Sequence, residues 1–191
     1  MDDRPRMKPP SLDAILGDAA ATGFAMSCEE RTGSLLATLA ASKPGGTLLE
    51  LGTGIGAGAA WLLHGMSPAA RLISVELDAT RQAVAQRHLG ADQRAQFVTC
   101  SADHWLDTYT GPALDLAYVD CRPGKFQRLP DLLSLLMPGG IYIVDDMLPQ
   151  ATWPPDHQDR VDQFLTHLPS TPNLLSTPMR WASGLVVGTR I

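Results

Sequence analysis

From about residue 28 to the C-terminus, short apolar runs of strand character alternate with segments of helical periodicity, and few architectures accommodate that alternation. Thr47 to Leu51, Arg71 to Leu77, Ala95 to Cys100, Leu114 to Val119 and Ile141 to Val144 read as buried strands. Ser27 to Glu30 has the S-x-x-E form of a capping box, and the helix it opens ends at Lys43-Pro44-Gly45-Gly46. Further helices are predicted over Gly56 to His64, from an Asp78 cap to about Leu89, and over Ala102 to Thr108. Phe126, Leu129, Leu132, Leu133 and Leu136 mark another, which Pro138-Gly139-Gly140 stops; Val161, Phe164, Leu165 and Leu168 form a stripe at i, i+3, i+4, i+7. Asn173 to Trp181 and Gly184 to Ile191 look like two strands joined by a tight turn at Ala182-Ser183. The pattern predicts an α/β, doubly wound, Rossmann-like sheet of seven mostly parallel strands, with helices on both faces and a C-terminal antiparallel hairpin.

At 191 residues the chain suits one domain, expected over residues 11–191 behind a flexible tail at 1–10; Met1 to Phe24 carries no readable signature. A net charge of −5 argues against nucleic acid as partner, no apolar run is long enough to span a bilayer, and the start lacks a secretory signal. Cys28, Cys100 and Cys121 are odd in number and widely spaced, as expected of free thiols in a cytoplasmic protein.

In such a sheet ligands bind beyond the carboxyl ends of the strands, at the point where the strand order reverses. The first loop there reads Leu49-Glu50-Leu51-Gly52-Thr53-Gly54-Ile55-Gly56. Its glycines permit a sharp turn and close approach of a ligand to the main chain, and the following helix offers free N–H groups. Nicotinamide enzymes use similar glycines, and a ligand-free strand-helix turn is the plain alternative. Glu76, ending the second strand 24 residues past Gly52, is placed to accept hydrogen bonds from the ribose hydroxyls of an adenosine cofactor; otherwise it is a solvated strand end. Asp120 ends the fourth strand, and Asp145 and Asp146 end the fifth. Clustered carboxylates repel one another, so either a hard cation such as Mg²⁺, Mn²⁺ or Ca²⁺ joins them or each caps a loop or helix.

These residues carry a resemblance. Over about Met26 to Ile191 the chain is similar to the cation-dependent, catechol-type and caffeoyl-CoA-type O-methyltransferase family, within the S-adenosylmethionine-dependent methyltransferases. Met26-Ser27-x-Glu29-Glu30 resembles the family's entry segment, Leu48 to Gly56 its cofactor loop and Ile73-Ser74-Val75-Glu76 its ribose-binding acid. Leu114 to Asp120 and Pro138 to Asp146 resemble its two metal-binding strands. The resemblance implies S-adenosylmethionine as cofactor, held by the loop residues Glu50, Gly52, Thr53, Gly54 and Gly56, with Glu76 on the ribose. It implies Ser101, Ala102 and Asp103 beside the adenine, and a divalent ion, Mg²⁺ foremost, on Asp120, Asp145 and Asp146. His104 is a further cofactor-contact candidate, and Asp120 borders cofactor and metal alike.

The chain departs from the family at three places. Asp146 stands where the family has Asn, Pro123 where it has the general-base Lys, and Gly56-Ala57-Gly58 where it has Gly-Tyr-Ser. Lys125 or Arg122 is then the candidate for the base's role, although Lys125 reads equally as an exposed lysine at a helix start. Met26, Pro149 and Trp153 form an apolar wall for a flat acceptor or simply pack. The expected activity is methyl transfer to a hydroxyl of a small, aromatic acceptor with help from the divalent ion, and a homodimer is compatible with the resemblance. The alternatives are a metal-independent methyltransferase on the same fold, a nicotinamide-dependent oxidoreductase, for which no Tyr-x-x-x-Lys is evident, and a non-catalytic binding module.

Overall fold

The structure, a computed structural model, describes residues 2–191. Strands β1 (Thr47–Leu51), β2 (Arg71–Glu76), β3 (Ala95–Thr99), β4 (Leu114–Val119), β5 (Leu136–Val144), β6 (Leu174–Met179) and β7 (Leu185–Arg190) form one sheet in the order β3-β2-β1-β4-β5-β7-β6. The pairs among β1 to β5 are parallel, and β7 runs antiparallel to both β5 and β6. This is the expected doubly wound sheet with its C-terminal hairpin.

Among the described residues seven α-helices accompany it: α1 (Leu12–Thr22), α2 (Glu30–Ala41), α3 (Ala57–Gly65), α4 (Ala79–Leu89), α5 (Ala102–Thr108), α6 (Leu129–Leu135) and α7 (His157–His167). Because strand side chains alternate between faces, each central strand feeds two cores. Leu48, Leu116, Tyr118 and Ile143 pack beneath α1 to α4, with Leu36, Trp61 and Val84. Leu49, Ala117, Val119 and Tyr142 pack beneath α5 to α7, with Trp105, Leu132 and Phe164. Cover on both faces explains why the strands read as mostly apolar runs. No described helix is long and apolar enough to cross a membrane.

Three features differ from the sequence reading. Helix α1 was not anticipated: Leu12, Ile15 and Ala19 are its buried stripe, Gly23 ends it in a left-handed conformation, and Asp18 ties it to α4 through His88 at 2.7 Å and Arg87 at 3.1 Å. The capping box does not form. Glu29 is the N-cap of α2, no side chain closes the cap, and Ser27 Oγ is buried without a partner. Glu30 instead pairs with Lys8 at 2.5 Å, and Glu29 with Arg31 at 3.1 Å, so neither carboxylate closes the box. Finally, Pro138-Gly139-Gly140 does not separate α6 from β5. The strand already begins at Leu136, which pairs with Leu114, and the Pro-Gly-Gly segment absorbs a register shift before Ile141 pairs opposite Leu116. Residues 2–10 contain no regular element, yet Asp3 accepts from Arg31 and from Trp181 Nε1, both at 3.2 Å.

The seam between α2 and α3 depends on a missing side chain. A Cβ on Gly33 would lie 2.1 Å from Cδ1 of the buried Trp61. Gly33→Ala is expected to cost about 1–3 kcal/mol through overpacking, seen as a lower urea midpoint with unchanged slope; an unchanged midpoint would show that this seam relaxes freely.

Candidate functional site

The strand order reverses between β1 and β4, and the loops leaving these strands face each other. The β1 loop is tied to β2, with Gly52 N donating to Val75 O at 2.9 Å and Thr53 N to the same oxygen at 3.2 Å. Gly52 has φ +97°, and a Cβ there would sit 2.7 Å from the main-chain oxygen of Asp120. The backbone conformation and the close passage over the end of β4 both require glycine. Glu76 closes the loop from the other side: one carboxylate oxygen accepts from Gly54 N at 2.8 Å and the other from Asp78 N at 3.0 Å. Asp78 caps α4 as expected, accepting from the main-chain N–H groups of Thr80 and Arg81.

Beneath the loop lies a buried polar chain. Thr53 Oγ1 and Ser74 Oγ are 2.6 Å apart, and Ser74 Oγ donates to the Glu50 carboxylate. Burial pushes Glu50 up to about 8. A Cβ on Gly58 would lie 2.3 Å from Glu50 Oε1, which explains the glycine at a position where the related pattern has serine: the carboxyl group occupies that space. Glu50, Thr53, Gly58 and Tyr118 surround a gap of about 20 Å³, room for one water molecule.

Above the loop are two larger cavities. The first, about 410 Å³, is lined by Gly52, Gly54, Glu76, Ser101, Asp103 and Asp120, among others, and falls within the range of small-molecule and cofactor sites. The second, about 250 Å³, is lined by Cys28, Asp120, Lys125, Asp145, Trp153 and His157, among others. Met26, Asp120, Cys121, Arg122 and Asp146 border both, so the two cavities meet over the end of β4.

The anticipated residues divide accordingly. Gly52, Gly54, Glu76, Ser101, Ala102, Asp103 and Asp120 line the first cavity. Glu50 and Thr53 lie under the loop, and Gly56 packs toward α4, where a Cβ would be 2.9 Å from Ala85 Cβ. His104 is exposed and borders neither cavity; its main-chain N–H donates to the Ser101 cap at 3.1 Å. Pro149 is exposed outside both cavities, whereas Met26 and Trp153 line the second.

Lys125 is no exposed lysine. Only 3% accessible, it donates to the main-chain oxygen of Asp145 at 3.0 Å and lies 4.9 Å from the centre of the Phe126 ring. Burial, together with Asp145 and Asp146, pushes Asp120 up, and Lys125 opposes that rise. Asp146 is likewise raised by burial and drawn down by Lys125. Burial pushes the Cys121 thiol up to about 12, so it is not a ready nucleophile.

The three aspartates do not form the expected ligand set. Among the described residues no group of three or more His, Cys, Asp and Glu side chains is arranged to hold a metal ion. The reason is visible at Asp145, whose carboxylate accepts from Tyr118 Oη at 2.8 Å, from Asp146 N at 2.7 Å and from Ser183 Oγ. Three of its roughly four acceptor positions are taken by the protein itself.

Sequence reasoning missed Phe24, Arg81, Tyr118, Ser183 and His157. Phe24 and Arg81 line the first cavity, with the guanidinium 5.2 Å from the ring centre. In the sequence Ser183 reads only as a turn residue. His157, at the first turn of α7, lines the second cavity against Trp153, with ring centres 4.2 Å apart. Both His157 Nε2 and Trp153 Nε1 are buried without a protein partner. The one available signal was the Trp153-Pro154-Pro155 break just before the α7 stripe.

A methyltransferase-domain family model matches residues 49–147, more than half of the chain, and spans the glycine loop, Glu76 and all three aspartates. The catechol O-methyltransferase of Mycobacterium tuberculosis is 26% identical over 168 residues, covering 78% of this chain and 76% of that protein. A relative from Mycobacterium avium is 29% identical over 118 residues, covering 59% of this chain; the chain spans about half (53%) of that relative's length. Among solved structures, an O-methyltransferase from Bacillus cereus in complex with SAH superposes with a TM-score of 0.85 at 20% identity, covering 97% of this chain and 93% of that one. With its glycine loop and Glu76 at the switch point of this sheet, the chain belongs to the methyltransferase-domain family.

Proposed function

We propose that the chain transfers the methyl group of S-adenosylmethionine to a hydroxyl oxygen of a small, flat acceptor. The observation that carries this reading is the shared wall: the cavity beside the glycine loop and Glu76 opens onto a second, smaller cavity across Asp120, Cys121 and Arg122. Two small molecules can thus meet there, as an in-line displacement requires. The names of the relatives support oxygen as the acceptor atom.

In this reading Glu76 receives the ribose hydroxyls, and Ser101, Ala102 and Asp103 border the adenine. The cofactor supplies an electrophilic methyl carbon, so the oxygen–carbon bond forms while the carbon–sulfur bond breaks and its electron pair stays on sulfur. Asp120, at the junction, takes the acceptor's proton. Trp153, Met26 and His157 flank the acceptor, and the two unpartnered ring nitrogens suit an acceptor with a further polar substituent.

Calorimetry with S-adenosylhomocysteine and with NAD, followed by turnover on catechols and other vicinal oxygen acceptors, tests the reading. Binding of the first and not the second is expected, and indifference to S-adenosylhomocysteine would defeat the proposal. Trp153→Ala is expected to raise KM for the acceptor about tenfold with kcat little changed, because it removes aromatic contact made equally in ground and transition states. A fall in kcat at constant KM would place Trp153 in the chemical step instead.

A further inference from the structure

We infer that the positive charge beside the acceptor oxygen is supplied by the Lys125 ammonium and not by a divalent ion, so that this chain transfers methyl groups without a metal. The inference rests on the O-methyl transfer proposed above.

Two observations carry it. The first is the state of Asp145. A divalent ion of the hard class gathers six or more oxygen ligands and needs carboxylates with lone pairs to spare. Asp145 is 2% accessible and already accepts from Tyr118 Oη, Ser183 Oγ and Asp146 N. The network continues, since Ser183 Oγ lies 3.4 Å from Thr32 Oγ1 on α2. One acceptor position, on Oδ2, is left for an ion, and turning the carboxylate to offer more would strip donors that are themselves buried, Tyr118 at 1% and Ser183 at 6% accessibility. Each hydroxyl left unpaired in such surroundings keeps its desolvation cost with no bond to offset it.

The second observation is Lys125. It lines the second cavity with the three aspartates, and the one hydrogen bond its ammonium makes among the described residues, to Asp145 O at 3.0 Å, uses one of three donors. The remaining N–H groups belong to a buried cation that makes no ion pair among the described residues, although Asp120 and Asp146 feel its charge, an arrangement that suits an oxygen carrying negative charge. The acceptor oxygen is such a group. As its proton passes to Asp120 and its lone pair forms the new bond to carbon, the developing charge on oxygen is met by Lys125. The family's lysine position is Pro123 here, so the cation arrives two residues later, within the turn in which Phe126 N bonds back to Arg122 O at 2.9 Å.

The test uses the full-length protein, dialysed against EDTA and assayed with one acceptor, with and without added Mg²⁺, Mn²⁺ or Ca²⁺. Separate calorimetric titrations use Mg²⁺ alone and Mn²⁺ alone. The rate is expected to stay within about twofold in all arms, with no saturable metal heat. Lys125→Met is expected to lower kcat about thirtyfold, the worth of one charge-assisted hydrogen bond, with S-adenosylhomocysteine affinity within twofold to show intact folding; Lys125→Arg recovers part of the loss. Loss of the rate on chelation with recovery on Mg²⁺, stoichiometric Mg²⁺ binding, or wild-type kcat in Lys125→Met each overturns the inference. A protein that binds no S-adenosylhomocysteine overturns the proposed function instead, and the metal titrations still decide this point.

Discussion

Glu76→Ala is expected to weaken S-adenosylhomocysteine binding about a hundredfold, close to 2.7 kcal/mol. The carboxylate has two tasks that fail together. It holds the glycine loop in shape, accepting from Gly54 N at 2.8 Å and Asp78 N at 3.0 Å, and it lines the cavity assigned to the adenosyl group. Hydrogen bonds to a charged acceptor contribute about 1.5–3 kcal/mol each, and those within one network do not simply add. Glu76→Gln keeps one acceptor oxygen and is expected to lose roughly tenfold. Calorimetry with both variants is the measurement, and thermal melting separates binding from folding: β2 and α4 retain their cores, so the melting temperature should move by only a few degrees. Binding by Glu76→Ala within threefold of the unsubstituted chain would mean that the adenosyl group lies elsewhere.

The second large effect is a pH-dependent stability difference at Glu50. This side chain is 1% accessible, accepts from Ser74 Oγ, and burial pushes it up to about 8. In the unfolded chain the same group titrates in the ordinary glutamate range, near 4.5. Below that pH both states are protonated and folding pays no ionisation penalty. Between about 4.5 and 8 the unfolded chain ionises while the folded chain keeps its proton, so stability is lost progressively as pH rises. Above 8 both are ionised and the full loss is in place, on the order of 5 kcal/mol. Glu50→Gln does not titrate and retains an acceptor oxygen for Ser74. Its stability relative to the unsubstituted chain should therefore climb from pH 5 to pH 8.5, measured as the difference in urea midpoint. A difference constant across that window would show that Glu50 is already ionised in the fold. Whether the charge also serves the cofactor is read separately, from S-adenosylhomocysteine affinity in the same variant.

Much of this architecture was legible before the structure. The parallel strands announce themselves because burial on both faces demands mostly apolar runs, as in Thr47–Leu51 and Leu114–Val119, each interrupted by a single acid, Glu50 or Asp115. The Gly52-x-Gly54-x-Gly56 loop is legible for the same kind of reason: positive φ at all three positions is a local demand that only one residue type meets easily. The Asp78 cap reaches only to the next turn and is equally local. Helix α1 escaped notice because its stripe of Leu12, Ile15 and Ala19 is narrow and its C-terminal half is a run of small alanines, with Gly23 the single clear stop signal. The β5 start was misplaced because Pro and Gly break helices and bend strands alike, and only the pairing of Leu136 with Leu114 distinguishes the two.

The sequence by itself determined the sheet and its glycine loop, since these follow from periodicity and backbone freedom within a few residues. It placed Asp120, Asp145 and Asp146 at neighbouring strand ends but could not say what they do there. That was decided by partners distant along the chain: Tyr118 and Ser183, 27 and 38 residues from Asp145, occupy its carboxylate, and Lys125 comes in from another loop, 20 residues away. Which donor reaches a carboxylate depends on how strands and loops are laid side by side, and only the folded chain contains that information.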